Sequence, residues 1–246
     1  MSRKNDLQQF YEVVSRLEQR LGGRLTLGNC RGSLSWPLRG IYFFFEEGEL
    51  RSGSGIGARI VRVGTHALKE GSATSLWNRL SQHRGVARRE GGNHRGSIFR
   101  LLLGTAFKGE DNSNEPTSWG IGSDPGKAAE KLGVPRASVV EAEQALEGRV
   151  SRYIGQMPFL FLAVEDAAGP NSERGTIERN AIALLSNFGR EPIDVPSELW
   201  LGRLCDRPRV RESGLWNNNH VDETHDPTFL DLLARCVEQT RTICAT

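Results

Sequence analysis

The chain has 246 residues, of which 37% are hydrophobic and 25% charged, with a net charge of +2 and a mean hydropathy of −0.44. That composition suits one large globular domain, or a core with an elaborated flank, and excludes a largely disordered or collagen-like chain. No apolar run approaches the roughly 18 residues of a membrane span, and the opening MSRKNDLQQF lacks the apolar stretch of a secretory signal.

In chain order, residues 6–21 place Leu7, Phe10, Tyr11, Val13, Val14, Leu17 and Leu21 at helical spacing and stop at Gly22-Gly23, which predicts an amphipathic helix. After a loop through Trp36-Pro37, residues 40–45 (GIYFFF) read as a buried strand. Residues 46–57 read as a glycine-rich hairpin loop and 59–64 as the second strand. Residues 65–74 read as a loop and 75–84 as a helix capped by Ser75. The apolar run 97–107 reads as a third strand, and the polar stretch 108–126 as inserted sequence. Residues 127–132 and 137–152 are helical by composition, 159–164 a further buried strand, 176–187 a helix, and 229–240 a closing helix. Strands and helices mix without strict alternation, so the expected class is α+β. Three segments are expected: 1–37, a core over 38–188 with its insertion at about 108–157, and an extension over 189–246.

Charge is unevenly spread. Residues 51–100 hold ten basic against two acidic side chains, a local +8 that leaves −6 elsewhere. Such an island predicts an anionic partner, a phosphodiester backbone being the commonest, although an arginine-rich solvated surface has the same composition. Cys30, Cys205, Cys236 and Cys244 form no CxxC pair, which predicts reduced thiols in a cytoplasmic protein.

Chemistry-bearing residues recur in a telling order. Gly40-Ile41-Tyr42 lies on one strand and Arg62-Val63-Gly64 ends the next. Arg79 and His83 share one helix face at i, i+4, and Glu178 and then Asn187 follow on a later helix. This order resembles the GIY-YIG nuclease superfamily over about 38–104 and 158–188. The resemblance implies a small antiparallel sheet flanked by helices and a divalent-metal-dependent endonuclease, using Mg²⁺ or Mn²⁺ held by Glu178. It departs from the family at Arg62, which stands where a second tyrosine is expected, with His66 and Lys69 as candidates for the missing function. A literal Tyr153-Ile154-Gly155 lies 111 residues beyond Tyr42, too far for a hairpin partner. Asn187 follows Glu178 by nine residues, closer than in the family.

Phosphodiester hydrolysis needs an activated water and charge relief on the phosphorus centre. The resemblance implies Tyr42 as general base, Arg79 at the phosphate, and His83 (with His66 a further candidate) in proton transfer, while Asn187 orients groups near the metal and Arg62 counts among the catalytic residues in the second tyrosine's place. Each has a bland alternative: Tyr42 a core aromatic, Arg79 a surface cation, His83 a helix-end histidine, Glu178 a salt bridge to Arg174 or Arg179, and Asn187 a helix end. Arg84, Arg88, Arg89, His94 and Arg95 are expected to contact DNA, the last two from the glycine turn 92–97. The loop Trp216-Asn217-Asn218-Asn219-His220 offers amides to base edges, and metal binding by His220 and His225 is the weaker reading of that region. Double-stranded DNA is the expected partner, no membrane is expected, and the flanks are expected to add DNA contacts or a homodimer surface, in restriction or defence. Two rivals stand: a non-catalytic nucleic-acid-binding module of the same fold, and an unrelated small-molecule hydrolase, which leaves the basic island unexplained.

Overall fold

The run opening at Gly40 has no polar face, so it needs cover on both sides. In the computed structural model, which describes residues 2–86, 91–169 and 171–243, it lies inside a four-stranded sheet. Helix α1 (Arg3–Leu21) leads into β1 (Leu25–Thr26), β2 (Gly40–Leu50), β3 (Ala58–Gly64) and α2 (Leu76–Arg84). Then come α3 (Ile98–Glu110), α4 (Pro125–Leu132), α5 (Arg136–Gln156), β4 (Pro158–Ala163), α6 (Glu173–Leu185), α7 (Pro208–Ser213) and α8 (Phe229–Gln239). The sheet order is β1-β4-β2-β3, every pairing is antiparallel, and the class is α+β. No helix among the described residues is long and apolar enough to cross a membrane.

Side chains alternate across β2. Phe43 meets Phe10 of α1 at 6.1 Å between ring centroids, while Phe44 meets Phe99 of α3 at 5.4 Å on the other face. Tyr42 therefore points toward α2 and α3. In the β2–β3 register Tyr42 stands opposite Gly64 and Phe44 opposite Arg62. A Cβ on Gly64 would collide with the Tyr42 ring, so the glycine makes the tyrosine's position available. One buried cluster runs from Leu7 in α1 to Val237 in α8, and a smaller one joins α4 to α5.

Two expectations change. Residues 97–107 form no strand: Ser97 caps α3, its Oγ accepting from the Arg100 N–H at 3.3 Å. Phe99, Leu102, Leu103, Ala106 and Phe107 all face inward at helical spacing. The strand expected to end at Phe45 continues to Leu50, because Glu46 and Glu49 find buried partners. Glu46 accepts from the Trp216 and Trp200 indoles at 3.0 and 3.2 Å and from the Tyr153 hydroxyl, and Glu49 pairs with Arg59. The literal Tyr153-Ile154-Gly155 lies in α5, in keeping with its distance from Tyr42.

The glycine-rich tip of the β2–β3 hairpin is closed by Asp194, whose Oδ1 accepts from the Ser52, Gly53 and Ser54 N–H groups, each at 3.0 Å. Farther on, the chain runs along the open edge of β3: the Trp216 N–H donates to Val61 O at 2.7 Å, and the Asn217 amide bonds both Val63 N–H (3.1 Å) and Val63 O (2.8 Å).

Candidate active site

Tyr42, Arg62, Thr65, Arg79, Glu178 and the loop Asn217–His220 converge on one cavity of about 330 Å³, with Ile98 and Ile182 as its apolar lining. The cavity sits where β2, β3, α2 and α6 meet. Tyr42 is fully buried, and its hydroxyl lies 2.7 Å from His83 Nε2. His83 Nδ1 lies 2.7 Å from Ser97 Oγ. Burial, with Arg79, Arg62 and Arg100 adding to it, holds the His83 pKa well below the ordinary histidine value, so the ring is neutral near neutral pH. A neutral imidazole against a phenol is a pair able to take up a proton.

Arg62 donates to Trp216 O, and its guanidinium lies 4.6 Å from the centre of the Phe99 ring. Its Nε is buried without a partner. Burial lowers the Arg62 pKa, Arg79 lowers it further, and Tyr42 and Glu178 oppose the shift. Arg79 reaches Gly96 O at 3.1 Å and Gln82 Oε1 at 3.2 Å from the rim.

Glu178 Oε1 accepts the Thr65 N–H at 3.0 Å, and among the described residues no protein group bonds Oε2. Neither suggested salt bridge forms: Arg174 pairs with Asp166, and Arg179 with Glu223. Desolvation pushes the Glu178 carboxyl above its ordinary value, which the Thr65 N–H, Arg62, His220 and Arg79 offset in part. No cluster of three or more His, Cys, Asp or Glu side chains suited to a metal exists among the described residues. A lone, under-bonded carboxylate nevertheless fits Mg²⁺ or Mn²⁺, since Mg²⁺ keeps several waters and takes one or two carboxylates plus a substrate phosphate.

Other anticipated residues stay outside the cavity. His66 is buried beside it, Nε2 3.4 Å from Leu38 O, its pKa pushed down to about 4 by burial and then by Arg174. Lys69 is exposed on the following loop. Asn187 lies beyond the end of α6 and is used structurally, donating to Asp194 O at 2.8 Å and accepting from the Ile193 N–H at 3.2 Å and from Arg3. His94 bonds Glu147 at 2.9 Å and stacks on Trp119. Arg95 grips both Glu143 oxygens at 2.7 Å with its side chain buried. Neither His94 nor Arg95 presents a charge to solvent. Arg84 bonds Cys30 O at 2.8 Å and lines a separate cavity with Asn29 and Ser151. Arg88 and Arg89 lie outside the described residues.

Among the described residues, part of the basic island is internal: Arg59, Arg95 and Arg100 pair with Glu49, Glu143 and Glu147 from outside the segment. Sequence reasoning missed Thr65 and Ser97. Ser97 was readable as a helix cap once 98–107 is seen as a helix, whereas a backbone N–H such as that of Thr65 leaves no residue signal.

A family model described as a GIY-YIG domain matches residues 1–243. No curated protein matches the chain. No solved structure matches it either.

Proposed function

The chain belongs to the GIY-YIG domain family, a family of nucleases, and from that premise we propose that it is a divalent-metal-dependent endonuclease hydrolysing phosphodiester bonds of double-stranded DNA. The observation that carries this reading is the Glu178 carboxylate facing the same cavity as Tyr42, Arg62 and Arg79. A pocket that only bound phosphate would gain nothing from a carboxylate, which repels the anion.

In this reading a water attacks the phosphorus, forming the new P–O bond as the P–O3′ bond breaks. Tyr42 takes the water proton as its own passes to His83 Nε2, and Ser97 Oγ holds the imidazole in place. Arg79 and Arg62 face the non-bridging oxygens, where the planar guanidinium matches two acceptors. The 3′-oxygen leaves with the bonding electrons and is protonated from solvent. Glu178 would hold the cation, which when bound supplies charge neutralisation at the phosphate. Asn218 and Asn219, which line the cavity, are suited to meet the nucleic acid.

The test is incubation of wild type and Glu178→Ala with supercoiled plasmid, with and without Mg²⁺. The reading expects Mg²⁺-dependent nicking or linearisation by wild type and none by the variant. Plasmid retained equally by both proteins and never cut would instead make the fold a binding module.

A further inference from the structure

His220 reaches the cavity from the segment that follows the sheet-and-helix core, and its geometry is unusual. It adopts a left-handed backbone conformation, φ 64°, uncommon for a residue with a side chain. Such conformations persist where neighbours over-determine them, often at functional sites. Here Arg209 pins the turn from both sides, donating to Asn218 O at 3.1 Å and pairing with Asp222.

The ring is oriented as deliberately as the backbone. His220 Nδ1 lies 2.8 Å from Glu223 Oε1, and Glu223 is bound in turn by Arg179. A carboxylate oxygen accepts, so Nδ1 carries the proton given to Glu223. That leaves the Nε2 lone pair, which no protein group bonds among the described residues. The same helix, α6, supplies consecutive residues to both ends: Glu178 to the cavity and Arg179 to Glu223. His220 lines the cavity together with Glu178. A carboxylate that fixes one imidazole nitrogen and frees the other is the arrangement of a metal-ligating histidine.

We propose that His220 Nε2 is a second protein ligand, with Glu178, for the divalent cation. This rests on the reading of Glu178 as the carboxylate ligand. A nitrogen donor favours a transition ion, so the site prefers Mn²⁺ to Mg²⁺.

The test reads metal binding directly, without DNA: Mn²⁺ titration by calorimetry and pulsed electron paramagnetic resonance on wild type, His220→Asn and Glu178→Ala. Asparagine tolerates the left-handed conformation, so His220→Asn keeps the turn, and an unchanged urea midpoint verifies this. The proposal expects ¹⁴N coupling from a bound imidazole in wild type. In His220→Asn that coupling disappears, Mn²⁺ affinity falls at least tenfold, and Mg²⁺ affinity falls much less. Bound Mn²⁺ without ¹⁴N coupling, equal affinity in His220→Asn, or no binding to wild type at millimolar Mn²⁺ each overturns it. If Glu178→Ala loses Mn²⁺ while His220→Asn binds as wild type does, this inference fails and the Glu178 reading stands. Undiminished binding by Glu178→Ala removes both.

Discussion

Tyr42→Phe separates chemistry from packing. The substitution removes one oxygen from a fully buried ring whose position beside Gly64 and Phe44 is otherwise kept. Its structural cost is the orphaning of His83 Nε2, which now has the hydroxyl at 2.7 Å, and an unpaired buried polar atom costs about 1–3 kcal/mol. Under the proposed mechanism the catalytic cost is larger: loss of a positioned proton acceptor slows such reactions by about 10²–10⁴, equivalent to roughly 3–5 kcal/mol of barrier. The variant should therefore stay folded, with a modest drop in urea midpoint, while single-turnover nicking of supercoiled plasmid falls by at least a hundredfold. His83→Gln keeps a hydrogen-bonding side chain but cannot take the proton, and should show a comparable loss. If the two residues work as one relay, the double variant is no slower than the slower single one. Nicking by Tyr42→Phe within threefold of wild type, or effects that multiply in the double variant, would refute the relay.

Two further outcomes follow from buried charge. Arg95→Ala leaves the buried Glu143 carboxylate with only the Ser118 hydroxyl, and breaking such a pair costs about 3–5 kcal/mol; urea unfolding should register that loss, and a variant as stable as wild type would contradict the structural role given to the pair. His66 has a folded pKa near 4 against an ordinary 6.5, so the unfolded chain binds the extra proton between those values and wild type loses that stability as pH falls through the window. His66→Gln lacks this penalty, and its stability relative to wild type should improve by on the order of 2 kcal/mol from pH 7 to pH 4, after allowance for solvent screening. Unfolding curves at several pH values check the slope, and a pH-independent difference contradicts it.

The sequence made the β2–β3 pair legible because the aromatic run and Arg62-Val63-Gly64 are short-range signals, and the register that sets Tyr42 opposite Gly64 follows from them. It made α3 illegible for a specific reason. Arg100 is buried through Glu147, 47 positions away, so an arginine sits within an inward-facing surface that periodicity expects to be apolar. Glu46 and Glu49 misled in the same way, as polar residues in a strand whose partners come from α5, the chain near Trp200 and Trp216, and β3. At the candidate site, Tyr42, Arg62, Arg79, His83 and Glu178 were all indicated by residue type and order. Asn187 was indicated too, yet it is anchored to Asp194 and Arg3 outside the cavity. His220 could not be paired with Glu178 from spacing, since only the path of the chain along β3 brings it there.

That path has a consequence for the order of synthesis. A nascent chain finished only through α6 leaves the outer edge of β3 bare, and a bare edge is a template for another chain's strand. The 31 residues from Ser186 to Trp216 take a further 2–6 seconds or so at about 5–20 residues per second. During that interval the cavity also lacks the wall contributed by Asn217–His220. A product that ended short of Trp216 would thus be adhesive and incomplete at once, so the step that silences the sticky edge is also the step that finishes the cleft.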